Sequence, residues 1–372
     1  MSGKLRHFTK RLLVFANFFL AFLFLLACLA PFLNPSGWWF ISFLGLAFPF
    51  LLFFLLVFLI CWLFTKRKPA LISLITLLIG FKSISVFFAF HISSSFHLKK
   101  NSGALRVATW NVARFIELKK NNNKGSQTRL KMMELIKQQD ADVLCLQEFE
   151  TSTLPDYYNN IAYIQQELNY PYYYFCFDDD GDNMFYSSVI FSRYPIIDSG
   201  FIRFPRPSLP EVLLHADIKT NNDTIRIYTT HLQSLQFRKS DYLKIDKIER
   251  VEDSLLSNSR TIFSKIKRGF INRSIQADII HQVLGDSPYP VIYCSDMNDV
   301  PNSYTYFKVR GDMQDAFLKK GFGIGRTFNA LSPTLRIDYI FTDKKFAIDQ
   351  FRRIINNYSD HYMLVADIEL KK

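Results

Sequence analysis

The chain has 372 residues, 49% of them hydrophobic and 38 of them phenylalanine, and its formal net charge is +12. Residues 1–98 contain no Asp or Glu but hold Lys4, Arg6, Lys10, Arg11, Lys66, Arg67, Lys68 and Lys82, which leaves only +4 for everything after them. Basicity confined in this way excludes reading the whole chain as a nucleic-acid footprint and reads instead as a membrane-topology signal.

Three apolar stretches open the chain. Leu12 to Leu33 and Trp38 to Phe64 are uncharged, and Ala70 to Phe90 is broken only by Lys82. Each is long enough at 1.5 Å per residue to cross a hydrocarbon core of roughly 30 Å, and Trp38, Trp39 and Trp62 stand near the ends of the second, as interfacial aromatics do. A cleaved leader ending before Cys28 is the competing reading of the first stretch; the two apolar stretches behind it favour spans. Basic residues flank the N-terminus and the loop Thr65 to Pro69, whereas the turn Asn34 to Gly37 has none. The positive-inside rule therefore puts the N-terminus in the cytoplasm and everything after Phe90 outside it, in an integral protein of the plasma or inner membrane. Lys82 opposes a third span, because an ammonium in mid-bilayer costs a few kcal/mol unless it snorkels or pairs. A re-entrant segment there would reverse the side of the remainder. We expect a membrane region over 1–98, with spans at about 12–33, 38–64 and 70–90, and one large domain over 99–372.

In that domain "LRVATWNV" (105 to 112) alternates as a strand, and Leu130, Met133 and Ile136 mark a helix over Thr128 to Gln139. "DVLCLQE" (142 to 148) reads as a buried strand ending in Glu148. "SSVIFSRYPI", "VLLHADIK" and "TIRIYTTHLQS" follow as three strands of antiparallel type, with "NNDT" (221 to 224) as the turn between the last two. Ser234 to Phe270 is charged and helix-capable, its basic residues interleaved with acids. It reads as a solvated helical face, with a phosphate-facing or lipid-facing role as the alternative. Arg273 to Val283 reads as a helix leading into "VIYCSDMNDVPNS" (291 to 303). Cys145, Cys176 and Cys294 are isolated, without the CxxC spacing of a zinc site or a disulfide framework, and read as small buried apolar residues.

Strand ends then deliver a series of polar residues. "TWNV" ends in Asn111, "LQE" in Glu148, and "THL" offers His231; "SDMND" supplies Asp296 and Asn298, "RIDYIF" supplies Asp338, and "SDH" supplies Asp360 and His361. Singly, each is equally well a cap, an Asx turn or a structural histidine. Together, oxygen ligands and two imidazoles at successive strand ends are what a Mg²⁺-dependent phosphoesterase needs.

In this order the motifs resemble the endonuclease/exonuclease/phosphatase superfamily, and the chain looks like a membrane-anchored, bacterial-type member. The resemblance covers about 260 residues. It implies an α+β fold, a four-layer α/β/β/α sandwich of the DNase I-like kind, preceded here by an all-α transmembrane region. Carried over by motif, it implies that Asn111 and Glu148 hold Mg²⁺, with Mn²⁺ as a substitute, and that Asp360 lies near the metal. Asp296 would orient or deprotonate the attacking water, and Asn298 would contact the scissile phosphate. His361, positioned by Asp338, would stabilise the phosphorane oxygens, and His231 would bind phosphate. Two departures matter. Ala113 stands where apurinic endonucleases carry an acid, and "THL" replaces their Pro-Asn element. Tyr186-Ser187-Ser188 replaces a glycine-rich approach, so that loop carries no substrate inference. The substrate class stays open among a lipid headgroup, nucleic acid and an inositol phosphate. The other expected partner is membrane lipid through the N-terminal helices, with no protein partner inferred. A non-enzymatic binding module on the same fold is the alternative, opposed by the intact acid, amide and imidazole set.

Overall fold

A computed structural model describes residues 3–91, 96–117, 119–120, 127–181, 183–207, 211–220, 223–235, 237 and 255–371. In chain order the elements begin with α1 (Gly3–Ala27), α2 (Pro35–Thr65), α3 (Arg67–Ile79), α4 (Phe81–Phe87), β1 (Ala89–Phe90) and β2 (Leu105–Asn111). Next come α5 (Thr128–Gln139), β3 (Val143–Ser152), α6 (Asn160–Glu167), β4 (Tyr172–Phe175), β5 (Met184–Ser192), β6 (Ile196–Arg203), β7 (Val212–Lys219) and β8 (Thr224–His231). The last are α7 (Leu255–Gly285), β9 (Val291–Asp296), α8 (Tyr304–Arg310), β10 (Gln314–Asp315), α9 (Ala316–Lys320), β11 (Phe322–Gly323), β12 (Asp338–Thr342), β13 (Phe346–Ile354) and β14 (Met363–Leu370). The chain groups into two compact units, one of Met1–Phe88, Leu235–Ile275 and Asp299–Lys308, the other of Ala89–Ser234, Gln276–Asn298 and Val309–Lys372.

In the first unit α1 and α2 are long and apolar enough to cross a membrane. Phe15, Phe18, Phe22, Phe53 and Phe54 are more than half exposed, a belt that water does not tolerate but lipid does. Asn34 caps α2, accepting from the Ser36 amide at 2.9 Å, and Pro35 takes the first helical position. Between α1 and α3 the buried Asn17 accepts from Ser73 Oγ at 2.9 Å, a polar tie of the kind that joins helices in lipid. The expected third span is two pieces. Helices α3 and α4 meet at a 66° bend, at Gly80, where any side chain would run into the Phe24 ring. Lys82 follows this bend: the residue is exposed, and its ammonium lies 5.0 Å from the ring of Phe32, in the α1–α2 turn, and 5.5 Å from that of Phe307.

Two segments remote in sequence belong to this unit. Asn302 Nδ2 donates to Ala27 O at 2.9 Å, satisfying a carbonyl at the end of α1. Gly45 leaves room for that segment, since a Cβ there would stand 2.7 Å from Asn302 O. The α7 residues up to Ile275 bring Phe263 onto Phe43, with parallel rings 4.2 Å apart, and Phe270 edge-on to Phe43 at 5.2 Å. Thus α7 is one helix from Leu255, where the sequence reading had separate segments to Phe270 and from Arg273; Arg238, Lys239, Lys244 and Lys247 lie outside the described residues.

The second unit is built on two six-stranded sheets, ordered β13-β14-β2-β3-β5-β4 and β10-β12-β9-β8-β7-β6. Only β2 with β3 and β8 with β9 pair in parallel among these. Strand periodicity sorts the side chains. Val107, Val143, Cys145 and Ile190 of the first sheet join Leu214, Ile227, Cys294 and Ile340 of the second in one core. Ala108, Trp110, Leu144 and Leu146 face the other way, against Met132, Met133 and Ile136 of α5 and Ile164 of α6. This is the expected α+β sandwich. Gln147 ties the two sheets, donating to Thr109 at 3.0 Å and to Thr229 at 2.9 Å. Cys145 and Cys294 are fully buried, whereas Cys176 is half-buried and donates to Ser187 Oγ at 2.9 Å. Strands β7 and β8 pair antiparallel as expected; residues 221 and 222 of their turn lie outside the described residues.

Candidate active site

Sheet register brings the acids and imidazoles to one end of the second unit. His231 ends β8 and neighbours Asp296, the last residue of β9, which in turn faces Asp338, the first residue of β12. On the other sheet Asn111 ends β2 opposite Gln147. Strict alternation would send Glu148 outward with Leu144 and Leu146. A bulge between Leu146 and Phe149, with Glu148 at φ 48°, turns it instead. Its Oε1 ends 3.1 Å from Asn111 Nδ2.

Asp296 is the hub. Its Oδ2 accepts from Asn111 Nδ2 at 3.0 Å and faces Nε2 of both His231 and His361 at 3.6 Å. Its Oδ1 accepts the Asn298 amide at 2.9 Å, and Asn298, at φ 51°, donates from Nδ2 to Leu232 O at 3.0 Å. His361 Nδ1 sits 3.1 and 3.0 Å from the two oxygens of Asp338. The Asp338 backbone N–H donates to Thr327 Oγ1 at 3.1 Å, which fixes the start of β12. Asp360 is exposed, its Oδ1 lying 3.3 Å from Ser359 Oγ. Ser359 also donates to Asn111 O at 2.8 Å, and Trp110 Nε1 donates to His361 O at 2.9 Å, so the "SDH" loop is tied to the end of β2.

Electrostatics follow from burial and carboxylates. Burial by itself would lower the His231 pKa, but Glu211, Asp296 and Glu148 outweigh it and raise it to about 10. For His361 the same contest is won by Asp338, Asp296 and Asp360, again at about 10. Burial lifts Asp338 to about 6, with His361 pulling the other way. The surrounding carboxylates therefore favour the cationic form of both imidazoles.

All eight residues expected from sequence lie in this unit, and seven form one connected cluster. Asp360 joins it through Ser359, with its own carboxylate turned to solvent. Sequence reasoning missed Glu211, whose Oε1 is 3.3 Å from His231 Nδ1, along with Ser359 and Thr327. It also missed Arg114. Ala113 to Ile116 all take positive φ, from 45° to 63°, a left-handed turn costly for residues with a Cβ. That turn lays the Arg114 guanidinium 4.2 Å from the centre of the Tyr186 ring and within 2.9 Å of Glu150. Burial, then Glu148 and Glu211, hold the Tyr186 phenol well above its ordinary pKa. Only the adjacency of Ser359 to "DH" carried a signal in the sequence.

The donor set suits a hard divalent cation. Glu148 has a side chain 29% exposed and lies beside an amide, while Asn111 Oδ1 is engaged by the Ala113 N–H at 3.0 Å. Asp296, Asp338 and His361 also offer ligand atoms within 4.8 Å of one another, but His361 Nδ1 is engaged by Asp338 at 3.0 Å.

The profile of the Endonuclease/Exonuclease/phosphatase family matches residues 108–361. That of a domain of unknown function (DUF8431) matches residues 10–87. No curated protein sequence matches. Among solved structures, an endonuclease/exonuclease/phosphatase from Beutenbergia cavernae DSM 12333 is similar at 17% identity over 73% of this chain and 72% of that one, with a TM-score of 0.50. Humanized D. rerio TDP2 carrying 14 mutations matches at 18% identity over 72% and 100%, TM-score 0.49. The human Nocturnin catalytic domain with bound sulfate anion matches at 17% over 73% and 97%, also 0.49. At 17% identity and a TM-score of 0.50, the likeness to the Beutenbergia cavernae protein is one of fold alone. Members of the matched family are typically hydrolases of phosphoesters and generally use a divalent metal. With the profile covering more than half of its length, the chain belongs to the endonuclease/exonuclease/phosphatase family.

Proposed function

We propose that the protein is a membrane-anchored, Mg²⁺-dependent phosphoesterase that hydrolyses a phosphodiester or phosphomonoester by in-line attack of water. The observation that carries this reading is the convergence on Asp296 Oδ2 of the Asn111 amide at 3.0 Å and two imidazoles at 3.6 Å, with Glu148 on the other side of the same amide. Asp296 orients the water and takes its proton at Oδ2. His361, held by Asp338, and His231 place positive charge where phosphoryl oxygens gain charge in the transition state. Asn298 spends one N–H on Leu232 O and has a second for a phosphate oxygen. Glu148 and Asn111 would hold the cation, with Asp360 at the rim. When bound, Mg²⁺ or Mn²⁺ supplies Lewis-acid neutralisation of phosphate charge.

The membrane helices favour a phospholipid headgroup as substrate over nucleic acid or inositol phosphates, since they tether the same chain to lipid. The charge asymmetry of residues 1–90 supports an extracytoplasmic site. The test is hydrolysis by the full-length protein in detergent of aryl phosphomonoesters and diesters, phospholipids, oligonucleotides and inositol phosphates, with Mg²⁺ and with a chelator. Turnover of none of them under any metal condition would favour the binding-module alternative.

A further inference from the structure

We propose that the first half of α7, where it packs on the opening turns of α2, is a binding surface for the headgroups of anionic phospholipids. This rests on reading α2 as a membrane span, and it is independent of the hydrolytic chemistry. From Leu255 to Ala277 the chain has no acid, but it has Arg260, Lys265, Lys267, Arg268 and Arg273. Arg273 is spent inside, with Nε 3.2 Å from the Asp299 carboxylate. The others are distributed differently. Arg260, Ser264, Arg268 and Ile275 are all exposed, and at 100° per residue they fall within a sector of about 80°. Lys267 borders that sector, its ammonium 4.2 Å from the ring of Trp39.

The neighbours of these cations are apolar. Phe263 is 43% exposed although it stacks on Phe43, and on α2 Trp38 and Phe40 are 49% and 45% exposed. Trp39 meets Phe263 edge-on at 5.5 Å, and Ser274 Oγ donates to Asn34 Oδ1, the cap of α2, at 3.2 Å. The α7 segment is therefore held at the beginning of α2, the part of a span that lies at the boundary of water and hydrocarbon, where Trp concentrates. Cations at that depth beside exposed aromatic rings match the phosphate layer above and the acyl chains below. A footprint for duplex nucleic acid, held through its phosphates, has no use for the exposed Trp38, Phe40, Phe263 and Ile275.

The experiment uses the full chain in vesicles of phosphatidylcholine, with either phosphatidylglycerol or phosphatidylcholine brominated near the headgroup end of its acyl chains, and reads quenching of tryptophan fluorescence. Trp38 and Trp39 sit at the proposed surface. At low salt the brominated phosphatidylglycerol should quench at the lower mole fraction, by about fivefold for each cation engaged, and high salt should erase the difference. Arg260→Gln with Arg268→Gln should remove most of the preference, whereas Arg260→Lys with Arg268→Lys should keep it. Both positions are exposed, so the fold survives either pair; Lys344→Gln, in the other unit, should change nothing. Equal quenching by the two lipids in the wild type, or a preference that survives the double Gln variant, overturns the proposal. So does loss of the preference on adding an oligonucleotide, which would assign the cations to nucleic acid. Absence of quenching by brominated phosphatidylcholine would remove α2 from the bilayer and the proposal with it, leaving the hydrolytic reading to its own assay.

Discussion

Arg106→Met should destabilise the sandwich unit by about 3 kcal/mol, and the structure says why the cost stays near the bottom of the range for a broken buried ion pair, roughly 3–5 kcal/mol. Arg106 on β2 and Asp367 on β14 are cross-strand partners with side chains 0% and 1% exposed. The guanidinium meets both carboxylate oxygens, at 2.6 and 2.8 Å, and gives its other N–H groups to the carbonyls of Leu98, Gln139 and His97 at 2.9 to 3.2 Å. Met fills the volume but leaves Asp367 charged and buried, with the Gln350 amide at 2.7 Å as its remaining bond. Arg352 softens the loss. It stacks on Phe96 as Arg106 does, and it senses both Arg106 and Asp367 electrostatically. For a unit of this size about 3 kcal/mol lowers Tm by roughly 6–12 °C. A fluorogenic thiol dye reads the transition in detergent, because Cys145 and Cys294 are fully buried until the sandwich opens. Asp367→Leu should cost a similar amount, and the double variant Arg106→Met with Asp367→Leu only about 1 kcal/mol, since no unpaired charge is left. A double variant whose Tm falls by the sum of the single shifts would show that the pair is not coupled and that the reasoning from burial is wrong.

Asp296→Asn and His361→Ala should each lower kcat by at least roughly 10²-fold with folding intact, as loss of a general base or of a transition-state cation does; near-normal turnover in either removes that residue from the catalytic set. Glu148→Gln should raise the Mg²⁺ needed for half-maximal activity about tenfold or more, with partial rescue by Mn²⁺, and an unchanged titration would place the cation elsewhere. A reporter active only outside the cytoplasm, fused after Lys372, should be active; a silent fusion that is expressed and folded would put the carboxyl terminus on the cytoplasmic side.

The ordered strand-end motifs carried the sandwich and the residues of its cluster because each is local: a β-rich run and the polar residue that stops it. What stayed hidden depends on contacts remote in sequence. Nothing in "LCLQEFE" announces that a bulge reverses the parity of Glu148, since the text alternates acceptably either way. Glu211 looks like an ordinary acid before a strand until His231 is folded against it. The helix α7 was legible as helix-capable, but its grouping with the apolar helices rests on Phe263 and Phe270 meeting Trp39 and Phe43, more than 200 positions away. Lys82 looked like a charge stranded in mid-span. The chain bends at Gly80, where Phe24 leaves no room for a side chain, and the ammonium ends beside Phe32; neither ring falls in a window around Lys82.

The backbone at position 148 sets stability against chemistry in a way that selection can exploit. Glu148 holds a left-handed φ of 48°, a conformation in which glycine is free of the Cβ clash, so Glu148→Gly relieves the backbone by up to about 1 kcal/mol, about what is lost with the bond from Asn111 Nδ2. The same exchange deletes the carboxylate proposed to hold the cation. A mutant library ranked only by heat tolerance would retain this glycine, and its sturdiest members would include inert ones. Thermostable versions of this protein thus have to be sought under a screen that reads turnover at every round.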